Sequence, residues 1–176
     1  MTNKNYKAIL PQIKTFIFDV DGVLTDGKVL VTTKGEMYRA LDTKDGYAIK
    51  CAILQGYKIV IISGGTNEGI RDRFKALGIS DIYLGAHHKL DPFQDLIDNY
   101  DLNPEEILFV GDDIPDIPIM EKVGISCCPA DAVSDVKSIV NYISHKNGGQ
   151  GCVREIIEQV LRVQGKWSLD IGAGKD

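Results

Sequence analysis

Three short stretches hold the residues of this sequence that could do chemistry. Asp19-Val20-Asp21-Gly22 follows the apolar run Phe16-Ile17-Phe18, Ser63-Gly64-Gly65 follows Ile59-Val60-Ile61-Ile62, and Gly111-Asp112-Asp113-Ile114-Pro115-Asp116 follows Ile107-Leu108-Phe109-Val110. Each run has strand length and is apolar throughout, as a strand covered on both faces should be. In an open parallel sheet the working side chains gather beyond the carboxyl ends of the strands. With these three ends adjacent, several carboxylates crowd one crevice and repel one another unless a cation neutralises them. An all-oxygen donor set with few protein ligands suits Mg²⁺. Asp-x-Asp-Gly by itself is weak, because aspartate is common in caps and turns. Its occurrence together with Gly-Asp-Asp-x-x-Asp, each directly behind an apolar strand and on either side of a Ser-Gly loop, points to a metal-dependent site.

The elements that must position these residues alternate between two periods. Strands are expected at Thr15 to Val20, Lys58 to Ile62, Ile82 to Leu84, Ile107 to Val110, Ile125 to Cys128 and Ile139 to Ile143. Helical spacing is readable from Gly46 to Leu54 and from Glu68 to Leu77, with Gly56 and Gly78 as stops, and again at Pro92 to Tyr100, Ile117 to Val123 and Val153 to Val163. Strand-loop-helix repetition predicts an α/β fold, an open Rossmann-like parallel sheet with helices on both faces. One segment breaks the rhythm. Lys28 to Leu41 carries two alternating runs around Thr33-Lys34-Gly35, which predicts an inserted β-hairpin at 28–41. With apolar residues on both faces, that hairpin calls for a covering partner. The expected organisation is an N-terminal extension at 1–12, one domain at 13–166 and a mobile C-terminal tail at 167–176.

Composition sets the outer limits. A chain of 176 residues with 44% hydrophobic and 26% charged residues builds one core and folds without disulfide help. Its net charge of −5 offers no broad basic face, which disfavours nucleic acid as a partner. No apolar run approaches membrane-spanning length, and Met1 to Lys14 has no signal-peptide pattern, so a cytoplasmic protein is expected. Cys51, Cys127, Cys128 and Cys152 lack zinc-site spacing and read as buried reduced thiols.

On these motifs the sequence resembles the haloacid dehalogenase superfamily of phosphohydrolases. Asp19-Val20-Asp21-Gly22-Val23 is similar to its first motif, Ser63 in Ile61-Ile62-Ser63-Gly64 to the second, Lys89 to the third, and Gly111-Asp112-Asp113-Ile114-Pro115-Asp116 to the fourth. The chain between the first two motifs has room for the hairpin and one helix, with no large cap domain, as in the capless subclass. More narrowly, Asp21-Gly22-Val23-Leu24-Thr25-Asp26-Gly27, Lys44-Asp45-Gly46-Tyr47 and Gly148-Gly149-Gln150-Gly151-Cys152-Val153-Arg154-Glu155 resemble the 3-deoxy-D-manno-octulosonate 8-phosphate phosphatases. That resemblance implies a Mg²⁺-dependent hydrolase of a sugar-acid phosphate in lipopolysaccharide synthesis. It also implies a homotetramer joined through the hairpins, with sites at subunit interfaces.

The resemblance assigns the roles. Asp19 is the expected nucleophile, giving an aspartyl-phosphate, and Asp21 the acid that protonates the leaving oxygen and then activates water. Asp19, the main-chain carbonyl of Asp21, and Asp112 are the expected Mg²⁺ ligands, with Asp113 and Asp116 orienting them. Ser63, Gly64 and Lys89 are expected to bind the phosphoryl oxygens. Taken singly, Ser63 reads as a helix cap and Lys89 as a solvated lysine; the motif order favours the functional reading. Asp45, Gly46, Arg71 and Arg154 are candidate substrate contacts, though Arg71 reads more readily as a solvated helix residue and Arg154 equally as half of an ion pair. His87 and His88 read as loop histidines, and Gly148-Gly149-Gln150-Gly151 as either a phosphate loop or a flexible turn. One position departs from the family: Gly65 stands where many octulosonate phosphatases have arginine and the nonulosonate 9-phosphate phosphatases glutamate. A nine-carbon substrate is therefore the alternative. From a different class, a phosphoryl-accepting signalling module would share the acidic pocket, the Ser and the Lys, but would avoid a built-in acid/base such as Asp21.

Overall fold

The structure, a computed structural model, describes residues 5–168. Strand β1 (Thr15–Phe18) leads into a two-stranded hairpin, β2 (Leu30–Val31) and β3 (Met37–Tyr38), followed by α1 (Thr43–Leu54), β4 (Lys58–Ile62), α2 (Glu68–Ala76) and β5 (Asp81–Tyr83). The second half runs α3 (Leu90–Tyr100), β6 (Ile107–Val110), α4 (Ile117–Met120), β7 (Ile125–Cys128), α5 (Ser134–Lys137), β8 (Tyr142–Ile143) and α6 (Cys152–Val163). Six strands form one parallel sheet in the order β5-β4-β1-β6-β7-β8, and the hairpin pairs only with itself. The chain leaves β1 first toward β4 and later toward β6, so its order reverses at β1, and a crevice opens there beyond the strand ends.

Alternation along the strands divides the core between the two faces. Phe16, Phe18, Ile59, Ile61, Leu108 and Val110 pack with Ile49, Phe74 and Ile157 from α1, α2 and α6. Ile17, Val60, Ile62, Ile107 and Phe109 pack with Phe93, Leu96, Ile119 and Val136 from α3, α4 and α5. Burial at successive positions 16, 17 and 18, all fully inaccessible, requires this double covering. The expected α/β architecture with helices on both faces is the one observed.

Several expected boundaries shift for local reasons. Strand β1 ends at Phe18 because the Val20 carbonyl accepts from the amides of Val23, Leu24 and Thr25, closing a tight loop. Helix α1 starts at Thr43, three residues before the readable periodicity, because Asp42 caps it by accepting from the Lys44 amide. The run 139–143 contributes only Tyr142–Ile143 to the sheet: Ile139 and Val140 both donate to the Val136 carbonyl and continue the end of α5, an element too short to show a period. Helix α4 stops at Met120 rather than Val123. Ile9 and Leu10, from the stretch expected as an extension, are buried in the core, held by Gln164 Nε2 donating to the carbonyls of Leu10 and Ile13. Of the expected tail, Trp167 lies beneath the guanidinium groups of Arg154 and Arg162, at 5.6 and 5.9 Å; 169–176 fall outside the described residues.

Candidate active site

Parallel register brings the three strand ends level. Phe18 pairs with Ile61 on one side and Val110 on the other, so Asp19, Ser63 and Asp112 project from neighbouring strands into one crevice of about 410 Å³. Its walls include Asp19, Asp21, Ser63, Gly64, Lys89 and Asp112. Asp113, Asp116 and His87 also border it.

The loop after β1 is braced against movement. Thr25, fully buried, accepts through Oγ1 from the amides of Gly22 and Gly27. Gly22 has φ +85°, and a Cβ there would fall 2.0 Å from Asp112 Oδ2. Only glycine tolerates both that conformation and that approach, and this is how the first and fourth motifs come into contact. Behind the same loop, a Cβ on Gly148 would fall 1.8 Å from the Gly22 carbonyl oxygen, and the Gly149 amide donates to the Val23 carbonyl. The glycine run therefore packs backbone against backbone as support for the acidic loop.

Lys89 is the electrostatic centre. It is 8% exposed, with Nζ 3.0 Å from Asp19 Oδ1 and 2.7 Å from Asp116 Oδ1. Burial pulls its pKa down, but the Asp19 and Asp116 carboxylates outweigh that and hold it above the usual lysine value. Asp116 is fully buried and fully engaged, its Oδ2 accepting from the amides of Asp112 and Asp113. Asp113 is exposed and caps the short turn at Ile114–Asp116. Burial first, then the charge of Asp116, pushes the Asp19 carboxyl up to about 7, with Lys89 opposing. Burial, Asp116 and Asp113 likewise push Asp112 up to about 7.

Carboxylate oxygens of Asp19, Asp112 and Asp116 lie within 4.8 Å of one another. Crowded, buried, all-oxygen donors whose charge is so disfavoured fit a small hard dication. Asp116 already has both oxygens occupied, which leaves Asp19 and Asp112 with lone pairs free to bind it.

The remaining candidates lie elsewhere on the single chain. Arg71 donates to Glu68 Oε2 and to the Ile82 carbonyl, tying α2 to β5. Asp45 is buried, its Oδ1 accepting from the Arg154 amide at 2.7 Å, which joins the starts of α1 and α6. A Cβ on Gly46 would meet Arg73 and Leu77. Arg154 itself borders a separate groove with Lys44, Gln150 and Arg162.

One residue at the site escaped the motifs. Arg39, just past β3, holds Asp21 with both arms of its guanidinium, Nε to Oδ1 at 2.6 Å and Nη2 to Oδ2 at 3.0 Å. Nothing in the spacing links positions 21 and 39; the only available sign was a cation ending an otherwise apolar hairpin strand.

Comparison with known proteins gives concordant matches. A family model described as haloacid dehalogenase-like hydrolase matches residues 36–124. The 3-deoxy-D-manno-octulosonate 8-phosphate phosphatase KdsC of Salmonella typhi is 41% identical over 163 residues, covering 93% of this chain and 86% of that protein. Among solved structures, that of 3-deoxy-D-manno-octulosonate 8-phosphate phosphatase from Yersinia pestis superposes with a TM-score of 0.90 at 34% identity, over 93% of this chain and 88% of the other. The Moraxella catarrhalis enzyme of the same name, in complex with magnesium ion, phosphate ion and a KDO molecule, superposes with a TM-score of 0.90 at 28% identity, over 99% and 100% of the two chains.

Proposed function

We infer the reaction from one premise, that the chain belongs to the haloacid dehalogenase-like hydrolases and, within them, to the 3-deoxy-D-manno-octulosonate 8-phosphate phosphatases. It is a Mg²⁺-dependent phosphomonoester hydrolase that releases phosphate from 3-deoxy-D-manno-octulosonate 8-phosphate. The observation that carries this reading is the meeting of Asp19, Ser63, Lys89 and Asp112 in one crevice from four separate segments.

Asp19 attacks phosphorus in line while the bond to the sugar oxygen breaks. Asp21, two residues further along the loop, gives its proton to the departing alkoxide and then takes one from the water that hydrolyses the aspartyl-phosphate. Lys89 balances the charge of Asp19 and reaches the transferring group from the same point, while Ser63 Oγ and the Gly64 amide are placed to donate to its oxygens. Asp19, Asp112 and the carbonyl of Asp21 would hold Mg²⁺, which when bound neutralises the nucleophile and phosphoryl oxygens that must approach each other. Asp116 and Asp113 set the loop that carries Asp112.

Assembly as a homotetramer through the hairpins belongs to the same reading, supported by exposed Leu30, Val31, Met37 and Tyr38 on a two-stranded unit that no other strand among the described residues pairs with. Residence in the cytoplasm is supported by four free, buried cysteines. No helix among the described residues is long and apolar enough to cross a membrane.

The test is phosphate release with Mg²⁺ from octulosonate 8-phosphate, nonulosonate 9-phosphate and unrelated sugar phosphates, for the wild type and Asp19→Asn. Preference for the eight-carbon acid by orders of magnitude, with the variant at least about 10³-fold slower, is expected. Equal or greater turnover of the nine-carbon acid would reassign the substrate, and an active Asp19→Asn protein would remove the mechanism.

A further inference from the structure

Arg39 arrives from the hairpin, outside every motif, yet its side chain is only 8% exposed. Its Nη1 is buried with no hydrogen-bond partner, which costs free energy that a surface lysine or methionine at this position would not incur. Two charge-assisted bonds run to the two different oxygens of Asp21, so the guanidinium fixes the plane of that carboxylate as well as its distance. The clasp is to the ionised carboxylate, the form left once its proton has gone to the leaving oxygen, and the other lone pairs on the same oxygens stay free to take the next proton from water. The arm that delivers Arg39 is itself anchored. Asn67 Nδ2 donates to the Met37 carbonyl at 2.9 Å, and Asn67 caps α2 directly behind Ser63-Gly64-Gly65. Gly65 borders the clasp: a Cβ there would lie in ordinary van der Waals contact with it, 3.5 Å from Asp21 Oδ2 and 3.6 Å from Arg39 Nη2.

We propose that Arg39 is a positioning residue for the proton donor: by clasping Asp21 from the hairpin, it holds the carboxyl where the leaving oxygen departs, so that the seat of the hairpin sets the acid step. This rests on the reading of Asp21 as the acid. A general acid contributes about 10²- to 10⁴-fold, and a misplacement of about 1 Å can forfeit about 10² of that. A leaving group that needs no proton should be indifferent to the loss.

The experiment compares kcat/KM, which covers the steps through leaving-group departure, for wild type, Arg39→Met and Arg39→Lys with Mg²⁺. The substrates are octulosonate 8-phosphate, whose alkoxide must be protonated, and p-nitrophenyl phosphate, whose phenolate need not be. Inhibition by free octulosonate, which carries the carboxylate but nothing to expel, is measured alongside. Arg39→Met should lose about 30-fold or more on the sugar phosphate and less than about 3-fold on the nitrophenyl ester, with Arg39→Lys between wild type and Met, and unchanged inhibition by the sugar acid. Retained nitrophenyl turnover also shows that the variant is folded. Equal losses on both substrates, or none on either, overturn the proposal. So does a loss matched by tenfold weaker inhibition, which would make Arg39 a reader of the substrate carboxylate. A wild type that hydrolyses neither ester removes the underlying function instead.

Discussion

At the scale of single residues, Asp19 and Asp112 share one physical condition: each is buried next to other carboxylates and pushed up to about 7. In the metal-free protein both hold their protons well above the ordinary carboxylate range near 4, so its stability falls as pH rises from about 4 to 7, where the folded state binds protons that the unfolded state has released. Mg²⁺ must displace those protons. Its affinity should therefore weaken about tenfold per pH unit, per proton displaced, as pH drops below 7. Calorimetry at pH 7 in two buffers of different ionisation enthalpy should show proton release, and the rise in Tm on adding Mg²⁺ should be larger at pH 8 than at pH 6. A pH-independent affinity would mean that the ion does not meet these two carboxylates. The same acids were the most legible part of the sequence, because each follows an apolar strand whose end announces where it points. Arg39 was illegible for the opposite reason: its clasp on Asp21 depends on how a hairpin folds back, and no local period encodes that.

At the scale of elements, the loop after β1 is held by a second loop from the other end of the chain. Gly148 fits against the Gly22 carbonyl with no room for a methyl group, and both contacting groups are backbone, so neither can rotate away. Gly148→Ala should destabilise the fold by about 3 kcal/mol, measured by urea denaturation, and should also lower kcat, because the strain is relieved by shifting Gly22 and with it Asp21. A variant as stable as wild type would show that the two loops are not tightly packed. Element boundaries were readable wherever a strand is buried on both faces: 58–62, 107–110 and 125–128 match their expected limits to the residue. They were not readable where backbone hydrogen bonds decide. The apolar run at 139–143 looks like one strand, but its first two amides belong to the end of α5. The start of α1 depends on an aspartate cap that hydrophobic spacing does not include.

At the scale of the whole molecule, alternation of strands and helices in the sequence was enough for the layers but not for the order of the strands, which depends on the pairing partners of β1. The hairpin strands are left uncovered by the two cores, and Leu30 and Val31 are more than 60% exposed. Replacing both by aspartate should leave the melting transition within about 1 kcal/mol, because exposed positions contribute little to folding, while under the proposed assembly through the hairpins it should reduce the mass found by sedimentation equilibrium to that of one chain. An unchanged mass would locate the assembly surface elsewhere.

The central place of β1 also bears on how the protein is made. Its first partner, β4, begins at residue 58 and its second, β6, only at residue 107. At about 5 to 20 residues per second the growing chain waits roughly 3 to 10 s between the two. Throughout that interval Phe16, Ile17 and Phe18 have one bare edge, and Asp112 has not yet been synthesised. Mg²⁺ can therefore give no help to the nascent chain, and a chaperone that covers the first sixty residues would protect the strand on which catalysis later depends.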